Sequence, residues 1–261
     1  GHSTKMAALA LAPGIFAGLA IAFNGRILLG AGVTALFVAM QLNANHVQIT
    51  YYTLLVAGIY FLAQLVDAFR HKAFASWVKA LAATGIAIAI GFVCNLSRIW
   101  PTYEYGKETI RGQSELSTKA SKGDGLDKDY LFGWSYGVGE SMTLLVPHAA
   151  GGGANESYKD TELYKTFVRK YSQQLSPQQA LQQTSGLMYM GEQPFVGTAI
   201  YFGAIVCFLF LLGALLVPGN VKWWLLGGGL FMVSLAWGKH FFLNDIWYDT
   251  LPMFNKFRAV S

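Results

Sequence analysis

The first residues that could do chemistry lie in a polar turn between two apolar runs. The stretch MQLNANHVQITYYTLL places Asn43, Asn45, His46 and Gln48 close together. An imidazole can take a proton from a substrate hydroxyl, and amide side chains can hold sugar hydroxyls in position. The structural alternative is a hydrogen-bonded histidine and amides that cap two helix ends. Capping explains only one or two of these residues. We therefore predict a site with His46 as a catalytic residue and the amides as substrate ligands.

A second polar group follows an apolar run in the segment YEYGKETIR. Glu104, Lys107 and Arg111 are spaced so that they share one face of a helix. A guanidinium binds two phosphate oxygens at once and a lysine acts as a point charge, so Lys107, Arg111 and the nearby Arg98 are predicted phosphate ligands. Glu104 is a candidate catalytic carboxylate. The alternative is an interfacial helix with ion pairs at its surface.

Aromatic residues accompany carboxylates further along the chain. Trp134 and Tyr136 precede Glu140 in the segment WSYGVGE, and Glu192 begins the segment EQPF. Sugar rings stack on aromatic faces, so Trp134 and Tyr136 are predicted substrate ligands. Glu140 is a candidate base. Glu192 is a candidate substrate ligand, expected at the same depth relative to the membrane. Packing within a loop is the alternative for all four residues.

Metal ligands are a weaker interpretation of the sequence. Four histidines that the topology described below places outside the membrane lack the spacing of a zinc site. Three aspartates lack the spacing of an EF-hand. The sequence therefore predicts no metal ligand and no certain cofactor, and a divalent metal ion stays an open alternative. The histidines concerned are His2, His46, His148 and His240, and the aspartates are Asp124, Asp127 and Asp129.

The composition is that of a membrane protein. Of 261 residues, 54% are hydrophobic and 13% are charged, whereas soluble domains carry about 25% charged residues. The mean hydropathy of +0.38 agrees. Cys94 and Cys207 both lie in apolar runs, where a disulfide is not expected. The net charge of +5 does not indicate nucleic acid, because the basic excess lies beside the apolar runs, where it sets topology.

Six apolar runs predict an all-α integral membrane protein with about six transmembrane helices in a bundle. They cover residues 6–23, 27–43, 50–66, 77–98, 195–217 and 222–238. Lysine and arginine occur in alternate turns, which are therefore cytoplasmic. The turn around His46 and the long segment after the fourth helix then face outward.

This topology predicts four parts. Residues 1–99 form a four-helix transmembrane part, residues 100–194 an extracytoplasmic loop domain, residues 195–238 two more helices, and residues 239–261 a truncated juxtamembrane tail. The loop is far longer than a connection requires and is predicted to fold. An amphipathic helix is expected at 160–174, and a second helix is expected to start at Ser176 with a glutamine three residues later. We expect the chain to be an internal fragment.

Several blocks together resemble the YfhO-type bacterial membrane proteins, in a Bacteroidetes-like version. They occur in the right order along the whole chain: GHSTKMAALA, NANHVQITYY, YEYGKETIRGQSEL, GLDKDY with WSYGVGE, GEQPF and FNKFRA. The resemblance implies the GT-C architecture of membrane glycosyltransferases. It also implies a multi-pass location in the bacterial inner (cytoplasmic) membrane.

Such enzymes move a sugar from a polyprenyl-phosphate carrier to an acceptor outside the membrane. The partners expected from the resemblance are therefore the lipid-linked sugar, an envelope glycopolymer or lipid, and membrane lipids. One departure is that these enzymes place an acidic residue in their first outer loop, which would precede Gly1. We therefore expect this part of the chain to be inactive alone.

Two other functions fit the composition. A transporter or flippase of lipid-linked sugars would carry ionisable residues or broken helices near the bilayer midplane. The six runs have no charged residue near their centres, which favours chemistry at the outer interface. A non-catalytic scaffold for envelope assembly is the third interpretation. The density of polar and aromatic residues on one side argues against it.

Overall fold

The computed structural model describes residues 3–107, 126–152, 162–171, 176, 178–179, 189–193 and 201–257. Within these ranges all regular structure is helical, and an isolated antiparallel bridge joins Gly151 to Tyr189. The predicted all-α class is confirmed. The helices are α1 Ser3–Phe23, α2 Ile27–Asn43, α3 Val47–Arg70, α4 Phe74–Cys94, α5 Leu96–Lys107, α6 Lys128–Leu131, α7 Glu162–Tyr171, α8 Ala204–Leu216, α9 Val221–Ala236 and α10 Leu243–Thr250. Short 3-10 turns cover Phe132–Trp134, Gly139–Leu144, Gly238–His240 and Phe254–Lys256.

Three helices are long and apolar enough to cross a membrane. These are α1, α3 and α4, with 21, 24 and 21 residues. Three shorter apolar helices, α2, α8 and α9, have 17, 13 and 16 residues. Each predicted apolar run thus contains a helix, and the prediction of a membrane protein is supported. The number of six spans stays a prediction.

The chain divides into two compact units. Unit 1 comprises Gly1–Leu126 and Val217–Leu230, and unit 2 comprises Asp127–Leu216 and Phe231–Ser261. The boundary between the units falls within α9. The four-part division by membrane side stays a prediction, because the units follow internal contacts instead.

Close approach of α1 and α2 organises unit 1. A Cβ on Gly18 would lie 2.6 Å from the backbone nitrogen of Thr34, closer than any real Cβ contact. The Thr34 hydroxyl donates to the carbonyl of Gly30 at 2.8 Å, so this polar side chain is satisfied within its own helix. Small residues at such positions let helix backbones pack without a large apolar driving force, as membrane bundles require.

The fourth helix packs on α2 in a similar way. A Cβ on Gly91 would lie 2.6 Å from Cγ1 of Val38. Asn95, which follows α4, donates from Nδ2 to the carbonyls of Ala39 and Gly91, both at 3.0 Å. The buried core of the unit lies around these contacts and consists of Ile15, Leu19, Val38, Leu42, Ala57 and Tyr60.

Unit 2 is built around the end of α9. Asn244 is fully buried, and its Nδ2 donates to the carbonyls of Ser234 at 2.7 Å and Gly238 at 2.8 Å. The first bond satisfies a carbonyl in the last turn of α9, and the second ties Asn244 to the turn that follows the helix. Gly238 has a φ of +46°, a conformation that favours glycine. The chain therefore turns sharply after α9 and brings residues 239 and 240 back towards the preceding loop.

Parts of the predicted loop helices lie in the described ranges. The amphipathic segment forms α7. Ser176 and Gln179 form reciprocal bonds, from Ser176 N–H to Gln179 Oε1 at 2.9 Å and from Gln179 N–H to Ser176 Oγ at 3.3 Å. This is the capping box that the sequence predicts. Most of the remaining loop, including Arg111, lies outside the described residues.

Candidate functional site

The polar turn between α2 and α3 keeps its side chains near the surface. Asn45 adopts a left-handed conformation with φ of 57°, which asparagine tolerates better than most residues. His46 precedes α3 but its side chain makes no capping hydrogen bond. Asn43 and Asn45 are exposed, and Gln48 is hydrogen-bonded to Tyr52. Capping by His46 therefore does not account for its presence here.

Arg98 joins this turn from α5. Its Nη1 donates to the backbone carbonyl of Asn43 at 3.0 Å. Asn43 ends α2, so the guanidinium neutralises the partial negative charge at that helix end. The structure thus brings Arg98 and Asn43 together, as one site would require. It also gives Arg98 a structural role that the sequence did not predict.

The other members of the second predicted group are less closely defined. Glu104 is exposed on α5, and Lys107 is the last residue of that helix. Arg111 lies outside the described residues. The shared face of the three side chains therefore stays a prediction.

Glu140 lies in the interior of unit 2 and accepts several hydrogen bonds. Its side chain is 6% exposed. Oε1 accepts from the Tyr189 hydroxyl, and Oε2 accepts from the N–H groups of Gly137 at 3.1 Å and Glu192 at 3.4 Å. A carboxylate with three donors is well satisfied in a buried position. This arrangement ties two distant stretches of the chain together, and a catalytic role for Glu140 stays a prediction.

Two tyrosines near Glu140 keep their protons. Burial raises the pKa of Tyr189, and its hydrogen bond to Glu140 raises that pKa further. Burial also raises the pKa of Tyr136, whose hydroxyl pairs with Thr143. Tyr136 is only 6% exposed, so its ring faces the interior of the unit. Trp134 is partly exposed and is the better placed of the two predicted stacking residues.

Glu192 has a different environment from Glu140. Its side chain is 53% exposed, and Oε2 lies 2.9 Å from Nε2 of His240 and 3.7 Å from Nζ of Lys239. The shorter distance fits an ion pair with a protonated imidazole. Nε2 has no hydrogen-bond partner in the part of the chain that the structure describes, so the 2.9 Å separation alone defines the pair.

Lys239 was not predicted as a site residue, and His240 was considered only as a metal ligand. Both residues follow an apolar helix, where a basic residue usually serves topology. Their pairing with Glu192 depends on the sharp turn at Gly238, and a single sequence does not reveal such a long-range contact. The one available signal was that His240 and Glu192 fell on the same predicted side of the membrane.

Metal binding finds no support in the described part of the chain. No group of three histidine, cysteine, aspartate or glutamate residues comes together there. The use of a divalent metal ion stays an open alternative.

Comparisons with known proteins add no family to this picture. No protein-family model matches the chain, and neither a curated protein nor a solved structure matches it. The resemblance to YfhO-type proteins therefore rests on the sequence blocks alone.

Proposed function

We propose that this chain belongs to a membrane glycosyltransferase of the GT-C type. It would move a sugar from a polyprenyl-phosphate carrier to an envelope glycopolymer or lipid outside the bacterial cytoplasmic membrane. The observation that carries the proposal is the group formed by Glu192, His240 and Lys239. The apolar helices and the YfhO-type blocks add support. The six-span topology and the outward orientation belong to the same proposal.

The group has the components that glycosyl transfer requires. The acceptor hydroxyl attacks the anomeric carbon, a new carbon–oxygen bond forms, and the bond to the carrier phosphate breaks. The electron pair leaves with the phosphate oxygen, and the proton of the hydroxyl passes to a base. Glu192, assisted by His240, is positioned as that base, because it is exposed and not occupied by three donors as Glu140 is. Lys239 supplies positive charge for the departing phosphate.

Glu140 supports this group as a positioning residue. It accepts the backbone N–H of Glu192 and the hydroxyl of Tyr189. Glu192, which could do the chemistry, is therefore held in place by Glu140, whose own hydrogen bonds are already made. A rigid support of this kind is what an acid–base residue needs to keep its geometry.

The polar turn of unit 1 is a second substrate-binding surface in this proposal. His46, Asn43, Asn45 and Gln48 would contact sugar or acceptor hydroxyls. Arg98 would contact a lipid phosphate with the donors that its bond to Asn43 leaves over. The exposure of Asn43 and Asn45 supports this role.

The test uses the full-length protein in membrane vesicles. A polyprenyl-phosphate carrying a labelled sugar is supplied, and the label is followed into polymer or lipid. We expect transfer that falls at least about a hundredfold in Glu192→Gln and His240→Asn, as for loss of a general acid–base group. His148→Asn is the matched control, because His148 is exposed and its left-handed conformation suits asparagine.

Two outcomes would overturn the proposal. Label that crosses the membrane while still attached to its carrier would identify a flippase. Label that neither moves nor transfers, with the protein correctly inserted, would support a scaffold.

A further inference from the structure

Two aromatic rings contact each other at the start of unit 2. Tyr130 and Trp134 are four residues apart, at the end of α6 and in the 3-10 turn that follows. Their ring centroids are 5.9 Å apart and their planes meet at 72°. Tyr130 is 42% exposed and Trp134 is partly exposed. The two rings therefore form an open corner with aromatic surface available to a ligand.

The backbone of Trp134 is fixed to the loop that carries Glu192. The carbonyl of Trp134 accepts from Nε2 of Gln193 at 2.9 Å, and Gln193 is only 8% exposed. The backbone N–H of Gln193 also donates to the Tyr189 hydroxyl at 3.4 Å. The tryptophan is thus held beside the residue that follows Glu192.

The next residue is fixed to the segment that carries His240. Ser135 is buried, and its Oγ accepts from the backbone N–H of Lys239 at 2.9 Å and donates to the Phe132 carbonyl at 2.6 Å. A Cβ on Gly238 would lie 2.8 Å from Cβ of Ser135, so this approach requires glycine. The dipeptide Trp134–Ser135 therefore touches both sides of the charged group.

The contacts form a closed ring. Trp134 bonds to Gln193, Glu192 pairs with His240, and the neighbouring Lys239 bonds to Ser135. Each of these contacts fixes one segment relative to the next. The backbone of Trp134 and the side chain of Ser135 are consequently held against the two segments that carry a carboxylate, an imidazole and an ammonium group. Such a set offers hydrogen-bond acceptors and donors beside an apolar platform.

We propose that Tyr130 and Trp134 form a stacking platform for a pyranose ring whose hydroxyls reach Glu192, His240 and Lys239. A sugar presents one apolar C–H face and a rim of hydroxyls that both donate and accept. It therefore matches an aromatic surface edged by mixed polar groups. The choice of a sugar deepens the proposed function and rests on it. Binding itself requires no transfer reaction.

Sugar binding can be measured separately from transfer. The full-length protein in lipid nanodiscs is titrated with methyl glycosides of common hexoses and N-acetylhexosamines, with saturation-transfer NMR as the readout. We expect Trp134→Ala and Tyr130→Ala to weaken binding about tenfold each, the upper end of an aromatic contact. Tyr130→Phe keeps the ring and should bind like the wild type. Trp100→Ala is the control for loss of an exposed aromatic, since Trp100 is 58% exposed on α5.

The outcomes separate this inference from the proposed function. Binding that requires both rings, without any transfer in vesicles, would keep the platform and overturn the glycosyltransferase. Transfer that is unaffected by both alanine variants would overturn the platform. Sugar binding that is unchanged in both alanine variants would also overturn the platform. Glu192→Gln keeps both rings, so weaker sugar binding in that variant supports the predicted contact between the sugar hydroxyls and the charged group.

Discussion

Oε2 of Glu192 lies 2.9 Å from Nε2 of His240. The same unit holds a second carboxylate, Glu140, which is buried and accepts three hydrogen bonds. The two carboxylates have opposite environments. Glu192 is half-exposed and faces two basic residues, whereas Glu140 binds backbone and tyrosine groups. Under the proposed function, this contrast favours acid–base work at the exposed residue and a supporting role at the buried one. It leads to separable predictions for the two positions.

Replacing Glu140 by Gln should loosen the loop at residues 189–193. The amide group presents N–H donors where the carboxylate accepted bonds, so at least one of the Gly137, Tyr189 or Glu192 donors loses its acceptor. A buried polar group without a partner costs about 1–3 kcal/mol. Hydrogen exchange at the backbone amides of residues 137 and 192 should become faster. Glu104→Gln, on the exposed surface of α5, is the control, and unchanged protection in the Glu140 variant would contradict the supporting role.

Stability should fall at alkaline pH through Tyr189. Its pKa is raised in the folded protein by burial and by Glu140, whereas an unfolded tyrosine titrates near about 10. The stabilisation is therefore complete below about pH 10 and decreases above it, because the unfolded chain ionises first. The stability advantage of the wild type over Tyr189→Phe should accordingly narrow as the pH rises past about 10. Unfolding midpoints in detergent between about pH 8 and pH 11 would measure this.

A matched tyrosine makes the alkaline result specific. Tyr105→Phe removes a hydroxyl from a side chain that is 74% exposed. Its stability difference from the wild type should stay small across the same range. A stability difference between the wild type and Tyr189→Phe that stays constant at all pH values would mean that folding does not change the pKa of the Tyr189 hydroxyl.

The bundle helices were predictable from the sequence because membrane segments carry a strong local signal. The predicted runs at 6–23 and 27–43 match α1 and α2 within a few residues, since apolar length and polar turns define both ends. The apolar run predicted at 50–66 lies within α3. The polar residues around His46 were expected in a turn, whereas the helix starts at Val47 and includes Gln48.

Glycines at the interface of α1 and α2 give a direct test of the packing. Gly18→Leu should destabilise unit 1 by about 1–3 kcal/mol, because the new side chain would clash with the Thr34 backbone. Gly32→Leu is the matched control, since a Cβ there meets nothing within 4 Å. Thermal unfolding in detergent would compare the two variants. Equal effects would show that helix propensity, not close approach, decides the outcome.

The candidate site was less predictable than the helices. Glu192, Trp134 and Arg98 were chosen by residue type and by the expected side of the membrane. The sequence could not show that Glu192 pairs with His240, because that contact depends on the turn at Gly238 and on the loop held by Glu140. The predicted substrate-binding role of Tyr136 stays a prediction, and the sequence did not show that its hydroxyl pairs with Thr143 inside the unit. Contacts between distant segments are the part that local patterns leave undetermined.

Arg98 allows structural and substrate roles to be separated. Its Nη1 bond to the Asn43 carbonyl satisfies the end of α2, so Arg98→Ala should cost about 0.5–1.5 kcal/mol of stability, the net value of one such hydrogen bond. Arg98→Lys keeps the positive charge at that helix end and should recover part of the loss. It removes the planar fork that binds two phosphate oxygens. If Arg98 also binds the carrier phosphate, the lysine variant should be more stable than the alanine variant, yet bind a polyprenyl phosphate in nanodiscs about tenfold more weakly than the wild type. Equal lipid binding by wild type and lysine variant would restrict Arg98 to the structural role.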